Sequence, residues 1–307
     1  MGNKGTHSYR SDSRNKNILI YVNGEFHPRE EATISVFDSG FLLGDGIWEG
    51  IRLLNNHMVF LDQHLDRLYS GAKKLDIKIG KSRDDLIGLI QKTLDENKMK
   101  TGVHIRLIIS RGLKKTPYQH PNTNTGDCSI VIIPEYKKAD KEVNKNGICL
   151  VTVTTRRGTH DSQDPRVNSL SKHNCITACI EADRAGADEG IMLDIHGNVS
   201  TCNSTNFFIV KNGEVWTSTG QFCLPGVTRK AVIDICLDND IPIFIKDFRI
   251  LDVHSADEAF VTGTFAGIIP VNEIDMQSMS SGKRGDLTFQ LQNLYSEKLT
   301  HLYPKQS

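Results

Sequence analysis

The chain has 307 residues, enough for two ordinary domains, and its 37 basic residues balance its 37 acidic ones. This balance gives no electrostatic signature of a nucleic-acid or membrane-surface partner, so we expect a small-molecule ligand. No apolar run approaches the roughly 20 residues that span a bilayer, and the seven cysteines are scattered and odd in number. Scattered cysteines are typical of reduced thiols, so the composition predicts a soluble cytoplasmic protein without a metal site.

The chain begins with a polar stretch, residues 1–17, which predicts a disordered N-terminal tail. Apolar residues then flank Asn23-Gly24, which is the strongest short hairpin signal, so strands are expected at Ile18–Val22 and Glu25–His27. A further strand is expected at Thr33–Phe37. The chain is therefore predicted to open with β-structure.

Glycines at positions 40, 44 and 46 precede a predicted strand, Ile47–Leu53, and allow another backbone segment to approach closely. Apolar residues then recur at helical spacing over Leu61–Leu75 and Lys81–Asn97. His104–Ser110 is an apolar strand interrupted by Arg106. An arginine in this position is either a rim residue or an anion receptor.

A charge-rich run, Lys137–Asn146, follows a long polar loop at Lys114–Asp127 and an apolar strand at Cys128–Pro134. Such a run is typical of a connector between domains. We therefore predict a smaller N-terminal α/β domain at 18–136, a linker at 137–147 and a larger C-terminal domain at 148–307.

The second half alternates strands with helices, which predicts an α/β arrangement. The strands are expected at Leu150–Thr154, Gly190–Asp194, Asn206–Val210, Phe244–Phe248 and Glu258–Val261, and the helices at Ser169–Ala185, Thr228–Asn239, Leu251–Ser255 and Asp286–Leu302. The first of these helices begins with polar residues that include Lys172, and a hairpin of small polar residues follows it. We expect reactive groups to gather there.

Two segments have the composition of phosphate-binding loops. Residues 224–229, LPGVTR, open a helix, so free backbone N–H groups and the Thr228 hydroxyl are directed at one point. Residues 261–264, VTGT, follow a strand and add a hydroxyl beside a glycine. Each alone is often only a cap, but together with Arg67 they predict a phosphate site.

Six ordered segments carry a resemblance that covers nearly the whole chain: GDGIWEGIRL (44–53), FLDQHLDRL (60–68), HIRLIISRG (104–112), NSTNFFIVKNGEVWT (203–217), LPGVTR (224–229) and ADEAFVTGTFAGIIPVNEID (256–275). The chain resembles the class IV pyridoxal-phosphate aminotransferases, which include branched-chain amino acid aminotransferase, D-amino acid aminotransferase and aminodeoxychorismate lyase. The resemblance implies the two-domain α/β (α+β) fold type IV with a cofactor-binding C-terminal domain. It also implies pyridoxal 5′-phosphate as cofactor, an amino acid or 2-oxo acid as substrate, and a homodimer whose partner contributes to the substrate pocket.

The resemblance also implies the site residues. Those expected to bind the phosphate are Arg67, Val227, Thr228, Gly263 and Thr264, and those expected to face the substrate are Phe41, His104 and Arg106. Two residues depart from the family pattern. The position of the cofactor-attaching lysine is Asn168, and the position of the glutamate that contacts the pyridine nitrogen is Thr201. An amine is needed to bond the cofactor and move the Cα proton, and a carboxylate keeps the ring nitrogen protonated, so asparagine and threonine do neither.

Lys172 is the candidate replacement amine, since it lies four residues beyond Asn168. In a helix its stem would lean back toward position 168 across about 6 Å, although an ordinary surface lysine explains it equally well. Thr201 could hydrogen-bond an unprotonated ring nitrogen, which favours chemistry that needs little carbanion stabilisation. The sequence predicts an aminotransferase-like enzyme for a small branched-chain or D-amino acid. It leaves open a lyase of the aminodeoxychorismate lyase type and a non-catalytic relative that binds a phosphorylated small molecule.

Overall fold

The structure, a computed structural model, describes Thr6 and residues 11–305 and divides into two compact units. The N-terminal unit comprises Ser11–Lys138, Val167–Lys172 and 303–305, and the C-terminal unit comprises Thr6, Ala139–Arg166 and His173–Leu302. The short segment Val167–Lys172 therefore belongs to the N-terminal unit, although it lies within 148–307, the range that we predicted as the C-terminal domain. Most of the predicted linker is a helix that Asp140 caps.

The N-terminal unit is an antiparallel sheet with two long helices. Its elements are β1 (Leu19–Val22), β2 (Glu25–Pro28), α1 (Ser39–Leu43), β3 (Gly46–Leu54), β4 (His57–Met58), α2 (Leu61–Lys74), α3 (Arg83–Glu96), β5 (Val103–Ser110), β6 (Leu113–Lys114), β7 (Asn124–Thr125) and β8 (Ser129–Tyr136). Six strands form the sheet in the order β2-β1-β8-β5-β3-β4, and β6 pairs with β7 separately.

Strand alternation gives this sheet two different faces. On one face, Ile51 and Ile105 pair across β3 and β5 and are fully buried with Leu65 of α2 and Ile90 of α3. On the other face lie the polar positions of β5 with the Trp48 ring of β3. The apolar face forms the core of the unit, and the other face carries the polar side chains that are candidates for the site.

Three expectations for the N-terminal unit have clear outcomes. The hairpin at Asn23-Gly24 is confirmed, with positive φ at both turn residues. The strand at Thr33–Phe37 is wrong, since this segment is irregular and Val36 is 64% exposed. The tail is not disordered over Ser13–Asn17, which form a 3₁₀ helix because the Asn15 side chain hydrogen-bonds the Tyr136 backbone in both directions. The rest of the predicted tail, apart from Thr6, 11 and 12, lies outside the described residues.

The C-terminal unit is built on a larger mixed sheet. Its elements are α4 (Lys141–Asn146), β9 (Ile148–Thr152), α5 (His160–Gln163), α6 (His173–Arg184), β10 (Glu189–Leu193), β11 (Val199–Cys202), β12 (Asn206–Lys211), β13 (Glu214–Thr217), α7 (Val227–Asp238), β14 (Ile243–Ile245), α8 (Ile250–His254), β15 (Glu258–Gly263), β16 (Gly267–Ile274), β17 (Gln277–Ser278) and α9 (Asp286–Leu302). The sheet order is β11-β10-β9-β16-β15-β12-β13-β14, with β17 beside β16. β9 runs parallel to β10 and β16, and β13 runs parallel to β14.

The paired interior strands β12 and β15 of this sheet bury side chains on both faces. Phe207 and Val261 belong to the main apolar cluster on one face. On the other face Phe208 and Phe260 face each other in register and stack with their ring centroids 4.8 Å apart. Both strands are therefore anchored on both sides, which holds their ends in place beside the start of α7. The sequence did not predict the neighbouring strand β16, in which Pro270 weakens the strand signal.

Candidate active site

Asn168 lies in an extended segment at the edge of β3. Its carbonyl accepts a hydrogen bond from Trp48 N at 3.0 Å, and its side-chain amide donates to the Trp48 carbonyl at 2.7 Å. Leu170 N donates to the Gly46 carbonyl at 2.9 Å. A Cβ at Gly46 would collide with Leu170, so the glycine permits this approach, as expected for the glycine-rich segment. Asn168 is therefore fixed by main-chain pairing with β3.

The helix predicted from Ser169 is wrong in its first turn. Ser169 forms a β-bridge with Ile47, and α6 begins only at His173. Backbone groups that bond β3 cannot also form the first turn of a helix, so the segment stays extended. Lys172 accordingly precedes the helix.

Lys172 nevertheless reaches back to Asn168. Its Nζ donates to Asn168 Oδ1 at 3.0 Å and lies 5.3 Å from the centre of the Trp48 ring. Because the Asn168 amide nitrogen bonds the Trp48 carbonyl, its oxygen is held toward the lysine. A hydrogen bond, and not helix geometry, holds the Lys172 amine beside position 168.

Arg106 and His104 lie on the same face of the sheet as Trp48. The Arg106 guanidinium lies over the Trp48 ring, 3.8 Å from its centroid, and burial lowers the pKa of Arg106. His104 contacts the position that a Cβ at Gly50 would occupy. The N-terminal unit therefore places Lys172 and Arg106 around one indole ring.

Phe41, the third residue expected to face substrate, is held out on α1. Its side chain is 67% exposed. The buried Asp38 fixes the helix, because Oδ1 accepts from Gly40 N at 2.8 Å and Oδ2 accepts from the Ser110 and Ser129 hydroxyls. Phe41 is thus an exposed aromatic residue on a firmly anchored turn.

Arg67 is on the core side of the same sheet and pairs with Glu49. Its Nε and Nη2 donate to the two carboxylate oxygens of Glu49 at 2.8 and 2.7 Å. His64 Nδ1 lies 2.7 Å from Glu49 Oε2. Burial by itself raises the pKa of Glu49, but the hydrogen bonds from Arg67 and His64 outweigh it and hold the pKa below its usual value. The charged carboxylate therefore fixes the plane of the Arg67 guanidinium.

In the C-terminal unit, Val227 and Thr228 are the first residues of α7, and both are buried. Gly226 precedes them, and a Cβ there would collide with Asn206 Oδ1. The Asn206 amide donates to the Leu224 carbonyl at 3.0 Å. Asn206 therefore holds the loop that presents the backbone N–H groups of this helix N-terminus.

β15 ends at Gly263, and Thr264 follows it. Thr262 is the direct cross-strand neighbour of Asn206. The Thr262 hydroxyl is buried and has no hydrogen-bond partner among the described residues. An orphaned hydroxyl is costly, so this end of the unit has unused hydrogen-bonding capacity beside a helix N-terminus.

The Thr201 hydroxyl donates to a backbone carbonyl of its own unit. It is buried in β11 and donates to the Thr205 carbonyl at 2.7 Å. A threonine hydroxyl has one hydrogen, and the Thr205 carbonyl accepts it here, so a hydrogen bond from Thr201 to an unprotonated ring nitrogen stays a prediction. The turn behind it is anchored by the buried Glu189, which accepts from the Ser204 and Thr205 hydroxyls at 2.6 and 2.8 Å. Burial raises the pKa of Glu189.

Sequence reasoning missed three residues that organise these groups: Glu49, Trp48 and Asn206. A signal existed for Glu49, because a charged residue at an inward position of an apolar strand requires a buried partner. Asn206 occupies the first position of β12, where its side chain gave no signal that it would hold a loop 18 residues away.

The residues present fit one end of a pyridoxal phosphate and not the other. The orphaned Thr262 hydroxyl and the glycine-lined start of α7 suit a phosphate, whereas Thr201 supplies no acid for a ring nitrogen. A family model for amino-transferase class IV matches residues 46–274, which is most of the chain. The chain belongs to the class IV aminotransferases.

Relatives within this family include proteins of two named activities. Branched-chain-amino-acid aminotransferase-like protein 2 of Arabidopsis thaliana is 38% identical over 93% of this chain, which spans 51% of that relative, about half its length. A putative branched-chain-amino-acid aminotransferase of Methanocaldococcus jannaschii is 35% identical, with 91% and 96% of the two chains covered. A D-alanine aminotransferase of Listeria monocytogenes is 32% identical, with 92% and 96% covered.

Solved structures show the same fold. The branched-chain amino acid aminotransferase of Escherichia coli superposes with a TM-score of 0.86 at 26% identity, covering 92% of this chain and 94% of that one. The branched-chain aminotransferase of the archaeon Thermoproteus uzoniensis, solved with norvaline, gives a TM-score of 0.83 at 27% identity, with 94% and 96% covered. The mixed α/β fold type IV is thereby confirmed for this class IV chain. Among its described residues, no helix is both long and apolar enough to cross a membrane.

Proposed function

We propose that the chain is an aminotransferase-like enzyme that acts on a small amino acid, of the branched-chain or D-amino acid type, through pyridoxal 5′-phosphate. The observation that carries this proposal is the Lys172 amine, 3.0 Å from the Asn168 side chain that replaces the family's lysine. A lysine four residues along the chain thus offers a replacement for the missing amine. Membership of the family and the retained phosphate-binding features support the same reading.

Each group has a proposed role. When bound, pyridoxal phosphate would supply a ring that delocalises the electron pair left at the substrate Cα. In the C-terminal unit Val227, Thr228, Gly263 and Thr264 are proposed to hold the phosphate, and in the N-terminal unit Arg67 is proposed as its cation. Lys172 Nζ would accept the Cα proton. Arg106, flat on Trp48, would orient a substrate carboxylate through its fork of N–H donors.

One observation favours a second candidate. Thr201 stands at the position proposed for the family's glutamate, its hydroxyl donates to the Thr205 carbonyl, and a threonine supplies no carboxylate that would keep the ring nitrogen protonated. A neutral ring is a weaker electron sink, which suits elimination by a lyase of the aminodeoxychorismate lyase type better than transamination. A non-catalytic relative that binds a phosphorylated small molecule would need neither the Lys172 amine nor a carboxylate at position 201.

Absorption spectroscopy tests the proposal. Purified protein titrated with pyridoxal 5′-phosphate should develop the visible band of a lysine-bound cofactor, and that band should fade when the correct amino acid is added. Release of a 2-oxo acid with amino transfer supports the aminotransferase, and elimination products support the lyase. Binding of the cofactor without a new band would leave the non-catalytic relative.

We also propose that the protein is a homodimer. Several large apolar side chains of the N-terminal unit are exposed, among them Val36, Phe37, Phe41, Leu113 and Tyr118. The loop between β6 and β7 is pinned at its base by the buried Lys114, whose ammonium bonds Thr123 Oγ1 and Asn124 Oδ1. An exposed apolar surface of this kind is typical of an interface.

Sedimentation at micromolar concentration should therefore give the mass of a dimer. Val36→Asp should shift the mass to that of a monomer, because a buried unpaired carboxylate opposes association. Met276→Asp is the matched control, since this side chain is 92% exposed in the other unit, and it should remain dimeric. A monomeric wild type would contradict the proposal.

A further inference from the structure

Glu49, His64 and Arg67 form a buried cluster. Arg67 is the proposed cation for the phosphate, whereas Glu49 and His64 have no role in the chemistry proposed above. The Glu49 side chain is 0% exposed, His64 is 1% exposed and Arg67 is 12% exposed. His64 and Arg67 lie three residues apart on α2, so they project from one face of the helix toward β3. The cluster therefore links a helix to a strand through a single carboxylate.

Glu49 Oε2 is the common point of this cluster. It lies 2.7 Å from Arg67 Nη2 and 2.7 Å from His64 Nδ1, while Oε1 accepts from Arg67 Nε at 2.8 Å. With two donors on one oxygen, the carboxylate cannot rotate without losing a bond, and the guanidinium fork must remain in its plane. His64 thus acts on the orientation of Arg67 through Glu49.

The second nitrogen of His64 excludes a purely space-filling role. His64 Nε2 is buried and has no hydrogen-bond partner among the described residues. A leucine would fill a similar volume without an orphaned polar atom, whose burial is unfavourable. The imidazole is therefore placed for its Nδ1 bond to Glu49.

We propose that His64 and Glu49 are positioning residues that fix the Arg67 guanidinium for an incoming phosphate monoester. This inference rests on the proposed function, in which Arg67 is the cation for the cofactor phosphate. It adds that the phosphate affinity of the enzyme depends on a histidine that does not contact the ligand.

The test compares pyridoxamine 5′-phosphate with pyridoxamine by calorimetry. Neither probe carries the aldehyde that bonds a lysine, so the result is independent of Lys172, and the difference between the two affinities reports the phosphate alone. His64→Leu should weaken the binding of pyridoxamine 5′-phosphate by about tenfold and leave the binding of pyridoxamine unchanged. His64→Asn should retain wild-type affinity, because the Asn amide nitrogen is the same number of bonds from Cα as Nδ1 and can donate to Glu49. Asp66→Asn on the same helix is the control and should change neither affinity, because the Asp66 carboxylate is 70% exposed and pairs with Arg83 instead of the cluster.

The outcomes separate the two proposals. A wild type that binds both probes equally has no phosphate site, which overturns the proposed function. If the wild type binds pyridoxamine 5′-phosphate more tightly than pyridoxamine, and His64→Leu binds pyridoxamine 5′-phosphate as tightly as the wild type does, the positioning role alone is overturned. Equal weakening of both probes in His64→Leu would show a structural effect and also overturn it. Thermal unfolding without ligand verifies that His64→Leu folds.

Discussion

Replacing Lys172 by Ala should abolish the visible band of bound pyridoxal phosphate and lower any turnover by on the order of 10²–10⁴-fold, the usual contribution of a general acid–base. The change removes the amine that lies 3.0 Å from Asn168 Oδ1. It should affect folding little, because Lys172 is only half-buried and precedes α6. Absorption spectra and single-turnover assays of the two proteins measure the effect.

Two further variants separate the amine from its charge. Lys172→Arg keeps a cation that can bond Asn168, but a guanidinium does not lose its proton in proteins and so cannot bond the cofactor. It should behave as the alanine variant does. Asn168→Lys in the Lys172→Ala background returns an amine to the family position and should recover the band. Thr201 should still limit transamination in that double variant.

Lys298→Ala on the surface of α9 is the matched control and should retain the band. If Lys172→Ala remains coloured and fully active, another amine performs the reaction and the assignment of Lys172 is wrong. If the wild type takes up pyridoxamine 5′-phosphate but never develops the band with pyridoxal 5′-phosphate, the non-catalytic relative is the better description.

Gly226→Ala should weaken pyridoxamine 5′-phosphate binding by about tenfold or more and lower the free energy of unfolding by about 1–3 kcal/mol, as is typical of overpacking. The added Cβ would collide with Asn206 Oδ1 at the start of α7. Relief requires the helix N-terminus to move or Asn206 to release the Leu224 carbonyl. Either movement displaces the backbone N–H groups proposed for the phosphate. Calorimetry and urea unfolding measure the two effects.

A double-mutant cycle identifies the cause. In an Asn206→Ala background the colliding oxygen is absent, so adding Gly226→Ala should cost clearly less than it does in the wild type. Gly88→Ala in α3 is the control, since open space surrounds that position and alanine is the better helix former. An additive cycle would contradict the collision, and unchanged binding in Gly226→Ala would contradict the role of this loop.

The sequence predicted a large part of the fold because the decisive signals are local. The Asn23-Gly24 turn, the apolar period of α2 and α3, and the bounds of α9 all depend on residues within a few positions of each other. The family motifs are local as well. That Asn168 and Thr201 stand where the family has its lysine and glutamate is likewise an expectation from the sequence, and it stays a prediction.

Tertiary contacts determined the hydrogen-bond partners of these side chains. Asn168 bonds Trp48 across 120 positions of sequence, and this pairing keeps the segment extended through Ser169, where the sequence had predicted the start of a helix. Arg67 donates to the buried Glu49 and so belongs to a buried cluster. Propensity and periodicity describe neighbours along the chain, whereas a hydrogen bond between distant segments depends on how the folded strands and helices pack. Local patterns and the family resemblance therefore proposed the residues, and only the folded structure determined which partner each side chain has.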